Sequence, residues 1–148
     1  MKLLSKLLDN RGTAIVEFAV VVPVLGVLTV GLAEFGLAYY AQSQVAVAAQ
    51  TGLRYAYANG YNSTAISSAV TGSSSQMTIN ATPAPSTFCG CVVSNAIVSA
   101  SCSSTCASGG SPATYVSVSA QTTYTPPVSL PGLPTSYTLS STAKGRLN

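Results

Sequence analysis

The hydrophobic pattern of this chain changes character along its length, and each change predicts an element. The charge-free run FAVVVPVLGVLTVGLA, residues 18–33, has no polar face, and FGLAYYA continues its apolar character past Glu34. At the helical rise of 1.5 Å per residue the strict run covers ~24 Å, and adding residues 14–16 or 35–41 supplies the ~30 Å of a bilayer's hydrocarbon layer. The pattern therefore predicts a membrane-spanning helix over about residues 14–41. Pro23 and Gly26 would cost ~3 and ~1 kcal/mol in a soluble helix. Membrane helices tolerate both, so a local kink over residues 19–23 is expected rather than a helix end.

From residue 35 to 58 the chain stays helical in character, rich in Ala and Gln and free of Pro, and Asn59-Gly60 supplies a stop. A helix running from 13 to 58 would be ~69 Å long and would outrun the membrane. Its outer half carries Ala38, Ala41, Val45, Ala48, Ala49, Gly52 and Ala56 at steps of mostly three and four. Such a stripe lets another element approach closely, and we expect the chain's own C-terminal domain to cover it rather than a neighbouring subunit. Tyr39, Tyr40, Tyr55 and Tyr57 read as packing positions, with lipid headgroups or a partner as the other use of such rings.

Residues 59–75 read as a turn and a Ser-rich link, with a short helix from Thr64 to Val70 capped by Ser63. Strand-like segments follow: MTINA at 77–81, TFCGCVV at 87–93, AIVSAS at 96–101, YVSVSAQTTY at 115–124 and YTLSSTA at 137–143. In the fourth, Val116, Val118, Ala120, Thr122 and Tyr124 alternate with Ser117, Ser119 and Gln121, as in a half-buried strand. Pro126, Pro127, Pro131 and Pro134 keep the next segment a loop. The predicted fold is α+β: a long N-terminal helix, and a small antiparallel sheet over residues 76–148 packed on the helix's outer half.

Charge sharpens this picture. The 148 residues suffice for one modest domain and an extended segment, yet only six are Lys or Arg and three Asp or Glu. Residues 55–143 hold none of these. With no basic cluster beyond the N-terminal leader, nucleic-acid binding is disfavoured. Lys2, Lys6 and Arg11 precede the apolar run and the next basic residue is Arg54. The positive-inside rule then places the N-terminus in the cytoplasm and the remainder outside. The run is longer than a usual signal-peptide core of about 7–15 residues, and no A-x-A cleavage site closes it. Glu34 and Arg54 stand ~30 Å apart along a helix, too far to pair within one straight chain.

The chain has no His, and beyond Glu34 no carboxylate side chain, which removes the usual acid–base pairs and triads. An enzyme is not expected, nor is a cofactor. Cys89, Cys91, Cys102 and Cys106 would be the only metal option, but Cys-x-Cys followed by Cys-x3-Cys is not a zinc-ribbon spacing. Outside the cytosol two disulfides are expected. Three pairings are possible, and the nested one, Cys89 with Cys106 and Cys91 with Cys102, suits a hairpin best.

RGTAIVEFAVVVPVLGVLTVGLAEFGLAYYAQSQVAVAAQTGLRYA, residues 11–56, resembles the TadE-like pseudopilins, minor pilin-type components of bacterial tight-adherence (Tad) pili. A basic-Gly pair, Val-Glu-Phe, a Pro in the apolar run, Glu-Phe-Gly and a late TGLRYA stand in family order across about a third of the chain. The resemblance implies a pilin-like fold, a basic leader over residues 1–12, and cleavage by a separate membrane prepilin peptidase between Gly12 and Thr13. Glu17 would then be fifth in the mature chain, and with Thr13, Phe18 and Pro23 it would serve assembly and register. The implied partners are that peptidase, other pilin subunits, a Tad-type assembly platform and membrane lipid. The implied place is the bacterial inner membrane, with passage into the pilus on assembly.

The need for a partner at Glu17 also stands on physical grounds. An unpaired carboxylate in lipid costs ~2.5 kcal/mol or more, and an amine freed at Thr13 of an adjacent subunit would offset it. The other fate is a solvated Glu17 at the cytosolic headgroups, in an unprocessed single-span adhesin or binding module.

Overall fold

The computed structural model describes residues 11–128 and 134–147, with side chains from Ile15 onward. The leader expected over residues 1–12 lies outside the described residues except for Arg11 and Gly12, and Pro131 of the proline loop lies outside as well. Two helices, α1 (Arg11–Asn59) and α2 (Ser63–Thr71), precede four strands, β1 (Ser86–Val93), β2 (Ala96–Ser99), β3 (Ala113–Tyr124) and β4 (Tyr137–Arg146). The chain divides into two compact units, Met1–Leu37 and Ala38–Asn148. The α+β class expected from the pattern is the class observed.

Pro23 sits inside α1 without ending it. The helix stops where Asn59-Gly60 predicts: Gly60 takes φ +79°, a conformation that glycine adopts at no steric cost, and its N–H donates to the Ala56 carbonyl at 2.9 Å.

In the second unit the sheet order is β2-β1-β3-β4, antiparallel throughout. Val45, Ala48, Ala49 and Ala56 of α1 share one core with Ile66 and Val70 of α2, Ile79, and Val116, Val118 and Ala120 of β3. The small-residue stripe is thus consumed within the chain, as expected, with Ala38 half-buried at its start. Burying each of the larger aliphatic side chains contributes about 1.5–3 kcal/mol, so this shared core holds the unit together. Gln42 donates to the Ser140 carbonyl of edge strand β4 at 3.0 Å, occupying one of that edge's open acceptors.

Three local expectations are corrected. The short helix is capped by Asn62, not Ser63: the Asn62 side chain accepts from the Ala65 N–H at 3.1 Å. The Ser63 hydroxyl donates instead to the Pro85 carbonyl at 3.3 Å, which draws it away from the helix end. Residues 77–81 form no strand beyond a single bridge, Asn80 to Gln121, because Pro83, which has no N–H for a ladder, follows at once. Ile79 still reaches the core, and the Thr122 hydroxyl fastens the segment by donating to the Thr78 carbonyl at 2.7 Å.

The third correction concerns the cysteines. Both disulfides form, but interleaved rather than nested: Cys89 with Cys102, and Cys91 with Cys106. The hairpin register explains it. Gly90 faces Ser99, and the Ala100 N–H donates to the Cys89 carbonyl at 2.8 Å, so the chain has already passed Cys91 when it reaches Cys102. Cys102 therefore meets Cys89. Turns over residues 102–110 bring the chain back, and Cys106 meets Cys91.

Candidate membrane and assembly site

The first unit is a helical rod with apolar side chains on every side. Between Ile15 and Leu37 its large hydrophobic residues are all exposed, Phe18, Leu32 and Phe35 by 70 % or more. A helix apolar all round, its large side chains exposed, is of the kind that lipid or other helices bury. Its length and composition suit one membrane span.

Polar groups along this rod are few. The Thr29 hydroxyl donates to the Leu25 carbonyl at 2.7 Å, so it needs no outside partner in hydrocarbon. Pro23 has no N–H to give the Ala19 carbonyl, which leaves that acceptor open to a neighbour. Glu17 and Glu34 are the only ionisable side chains between residues 15 and 37; Glu17 is exposed and Glu34 half-buried. Thr13 precedes Glu17 by four residues, one helical turn, and so occupies the same face of α1.

At the other end of the apolar run, Tyr39 and Tyr40 are 70 % and 53 % exposed, directly before Ala41, the first buried residue of the head. Tyrosines at that position suit a headgroup layer, where the ring stays in apolar surroundings and the hydroxyl in water. Tyr55 packs against the core, as expected of a packing position, whereas Tyr57 is 54 % exposed.

All four cysteine sulfurs are committed to disulfides, which removes them as metal ligands. Gly12, Thr13, Glu17, Phe18 and Pro23 all lie along the first four turns of α1. Two contributions escaped the sequence reading. Ile66 and Val70 of α2 are fully buried, a signal present only as an i, i+4 apolar pair inside a Ser-rich stretch. Gln42 was one polar residue among several on α1.

These features amount to an exposed apolar N-terminal helix, long enough for one membrane span, that continues into a small α+β head. Residues 12–54 match the family model described as TadE-like protein, so this segment is similar to that family. No curated protein and no solved structure matches the chain.

Proposed function

We propose that this chain is a TadE-like minor pilin or pseudopilin that is processed by a prepilin peptidase and takes part in assembly of a Tad-type pilus by lateral helix packing. The observation that carries the proposal is the exposed, circumferentially apolar helix from residue 15 to 37 lying within the TadE-like match. In the precursor this surface is solvated by bilayer lipid; in the filament it packs against other subunits, and the transfer conserves its burial. Cleavage after Gly12 frees an amine at Thr13, and the Glu17 carboxylate of an adjacent subunit pairs with it, setting axial register where water is excluded. The assembly platform and other pilin subunits are the partners this requires. The N-terminus faces the cytoplasm of the inner membrane, and the disulfide-bonded head faces the oxidising side.

N-terminal sequencing of the membrane-extracted protein tests the cut, with Thr13 expected as first residue. A chain that keeps residues 1–12 and never copurifies with filaments supports an unprocessed anchor in place of a pilin. Glu17→Ala tests register: membrane insertion should persist while incorporation into filaments falls at least tenfold. Normal incorporation of that variant would remove the pairing role.

A further inference from the structure

The second unit is polarised along its length. It begins at Ala38, and its formal side-chain charges are Arg54, Lys144 and Arg146. Two contacts show how β4 lies along α1: Gln42 donates to the Ser140 carbonyl at 3.0 Å, and a Cβ added at Gly145 would meet Leu53 and Tyr57. β4 therefore runs in the same direction as α1. Its start, Tyr137, lies toward the start of the unit's helix, and its two cations lie toward the helix's end. Tyr40 to Arg54 spans ~21 Å of helix, and Tyr137 to Lys144 ~23 Å of strand.

The end away from the cations is built from residues within 38–53 and 55–143, which hold no Asp, Glu, Lys or Arg. Tyr39 and Tyr40 are 70 % and 53 % exposed there, and Tyr137 36 %. By strand alternation Tyr137 shares a face of β4 with Leu139, which packs on the core, and with Gly145, so it stands on the side of the sheet where α1 lies. Tyr124, the last residue of β3, is its register partner, and the chain leaves this end through Pro126, Pro127 and Val128. Pro127 is exposed and Val128 is 44 % exposed. Proline has no N–H, so these two leave fewer backbone donors to strip of water in an apolar layer.

We propose that this end of the head is a lipid-docking surface: Val128 and Tyr137 enter the bilayer's interfacial layer together with Tyr39 and Tyr40, and the chain holds the membrane by its head as well as by its span. The proposal rests on the membrane-anchored reading of α1. The unit's helix opens directly after the apolar run, so chain continuity keeps the tyrosine end at the membrane surface. Tyrosine favours that layer, its ring in apolar surroundings and its hydroxyl in water, and valine adds apolar area. No charge has to be desolvated. The cations stand farther off than the ~8 Å screening length of physiological salt, so the partner is a neutral lipid interface and not an anionic one.

The sequence contains no Trp, so one introduced Trp reports its own surroundings. Full chains carrying Tyr137→Trp, Val128→Trp, Tyr61→Trp or Leu25→Trp are reconstituted in phosphatidylcholine vesicles. One quencher is lipid brominated on its acyl chains; the other is iodide on both sides of the bilayer. Tyr61, which lines a groove with Arg146, marks the charged end. Tyr137→Trp and Val128→Trp should be quenched at least threefold more by brominated lipid than Tyr61→Trp, and at least threefold less by iodide. Added salt or anionic lipid should change neither ratio. Val128→Lys in the Tyr137→Trp chain should lower its lipid quenching at least twofold. Tyr137→Trp and Val128→Trp as open to iodide as Tyr61→Trp, with Leu25→Trp still quenched by lipid, would overturn the docking surface and leave the span in place. Escape of Leu25→Trp from lipid as well would overturn both. Shielding from iodide without lipid quenching would give the surface to a neighbouring protein, and lipid quenching that needs anionic lipid would make the attraction electrostatic; either result overturns the proposal.

Discussion

Gly52 shows how little room the head allows where three elements converge. A Cβ placed there would stand 2.6 Å from Val70 Cγ2 and 2.8 Å from Val118 Cγ1, closer than any carbon pair tolerates. Both valines are fully buried and β-branched, so neither can swing aside. Alanine would gain about 1 kcal/mol of helix propensity over glycine, but forcing it into a filled core costs about 1–3 kcal/mol. Gly52→Ala is therefore expected to leave the head no more stable and up to about 2 kcal/mol less so, and Gly52→Val to cost more. Thermal melting of the full chain in detergent checks this; a clear rise in the head transition of Gly52→Ala would contradict the contact. Gly36, whose added Cβ would meet nothing within 4 Å, is the control, and Gly36→Ala should not shift that transition. At this scale the sequence was partly legible. Gly52 stood in the small-residue stripe, but nothing in one chain's order of residues says that a valine of α2 and a valine of β3 would both press on it.

Between elements, the two disulfides fix the excursion from β2 to β3, which carries little apolar surface of its own. They close loops with sequence separations of 13 and 15 residues. On the chain-entropy estimate each contributes about 3 kcal/mol, relative to a denatured chain free to open. Replacing Cys89 and Cys102 together by Ala should lower the head's stability by about 2–4 kcal/mol, read from its denaturation midpoint. Peptide mapping of the oxidised chain should recover the linkages Cys89–Cys102 and Cys91–Cys106; nested linkages would contradict the β1–β2 register. That register explains why strands were foreseen and pairing was not. Alternation along 115–124 is a property of one segment, and Val116, Val118, Ala120 and Thr122 are buried as it implies. Pairing instead depends on the two-residue turn Ser94-Asn95, both at positive φ (48° and 65°), which aligns Val93 with Ala96 and carries Cys102 beyond Cys91. Ser-Asn lacks the glycine that most strongly announces such a turn. Tyr115 and Ser119 on the other face are buried too, by cross-strand neighbours such as Phe88 and Thr142, a covering that alternation alone does not reveal.

At the scale of the whole molecule, the two units suit different surroundings, a difference written in composition. The rod needs an apolar environment around its circumference, whereas every core residue of the head comes from position 41 or later. A change that offends lipid should therefore spare the head. Leu25 lies near the middle of the apolar run and is 55 % exposed. An arginine at the centre of a membrane helix costs about 2.5–3.5 kcal/mol on insertion scales, enough to reduce integration by one to two orders of magnitude if the span is marginal. Leu25→Arg is expected to lower the fraction of the chain that resists carbonate extraction from membranes, while Leu25→Ala retains it. In detergent both variants should show the head transition of the parent chain. Undiminished membrane retention of Leu25→Arg would mean that this part of α1 does not lie in the hydrocarbon layer. A parallel fall in the head transition would mean that the two units do not fold independently. Since a filament would bury the same circumference in other subunits, Leu25→Arg should also fail to incorporate, and for a different reason than Glu17→Ala: the first loses the membrane, whereas the second keeps the membrane and loses its register.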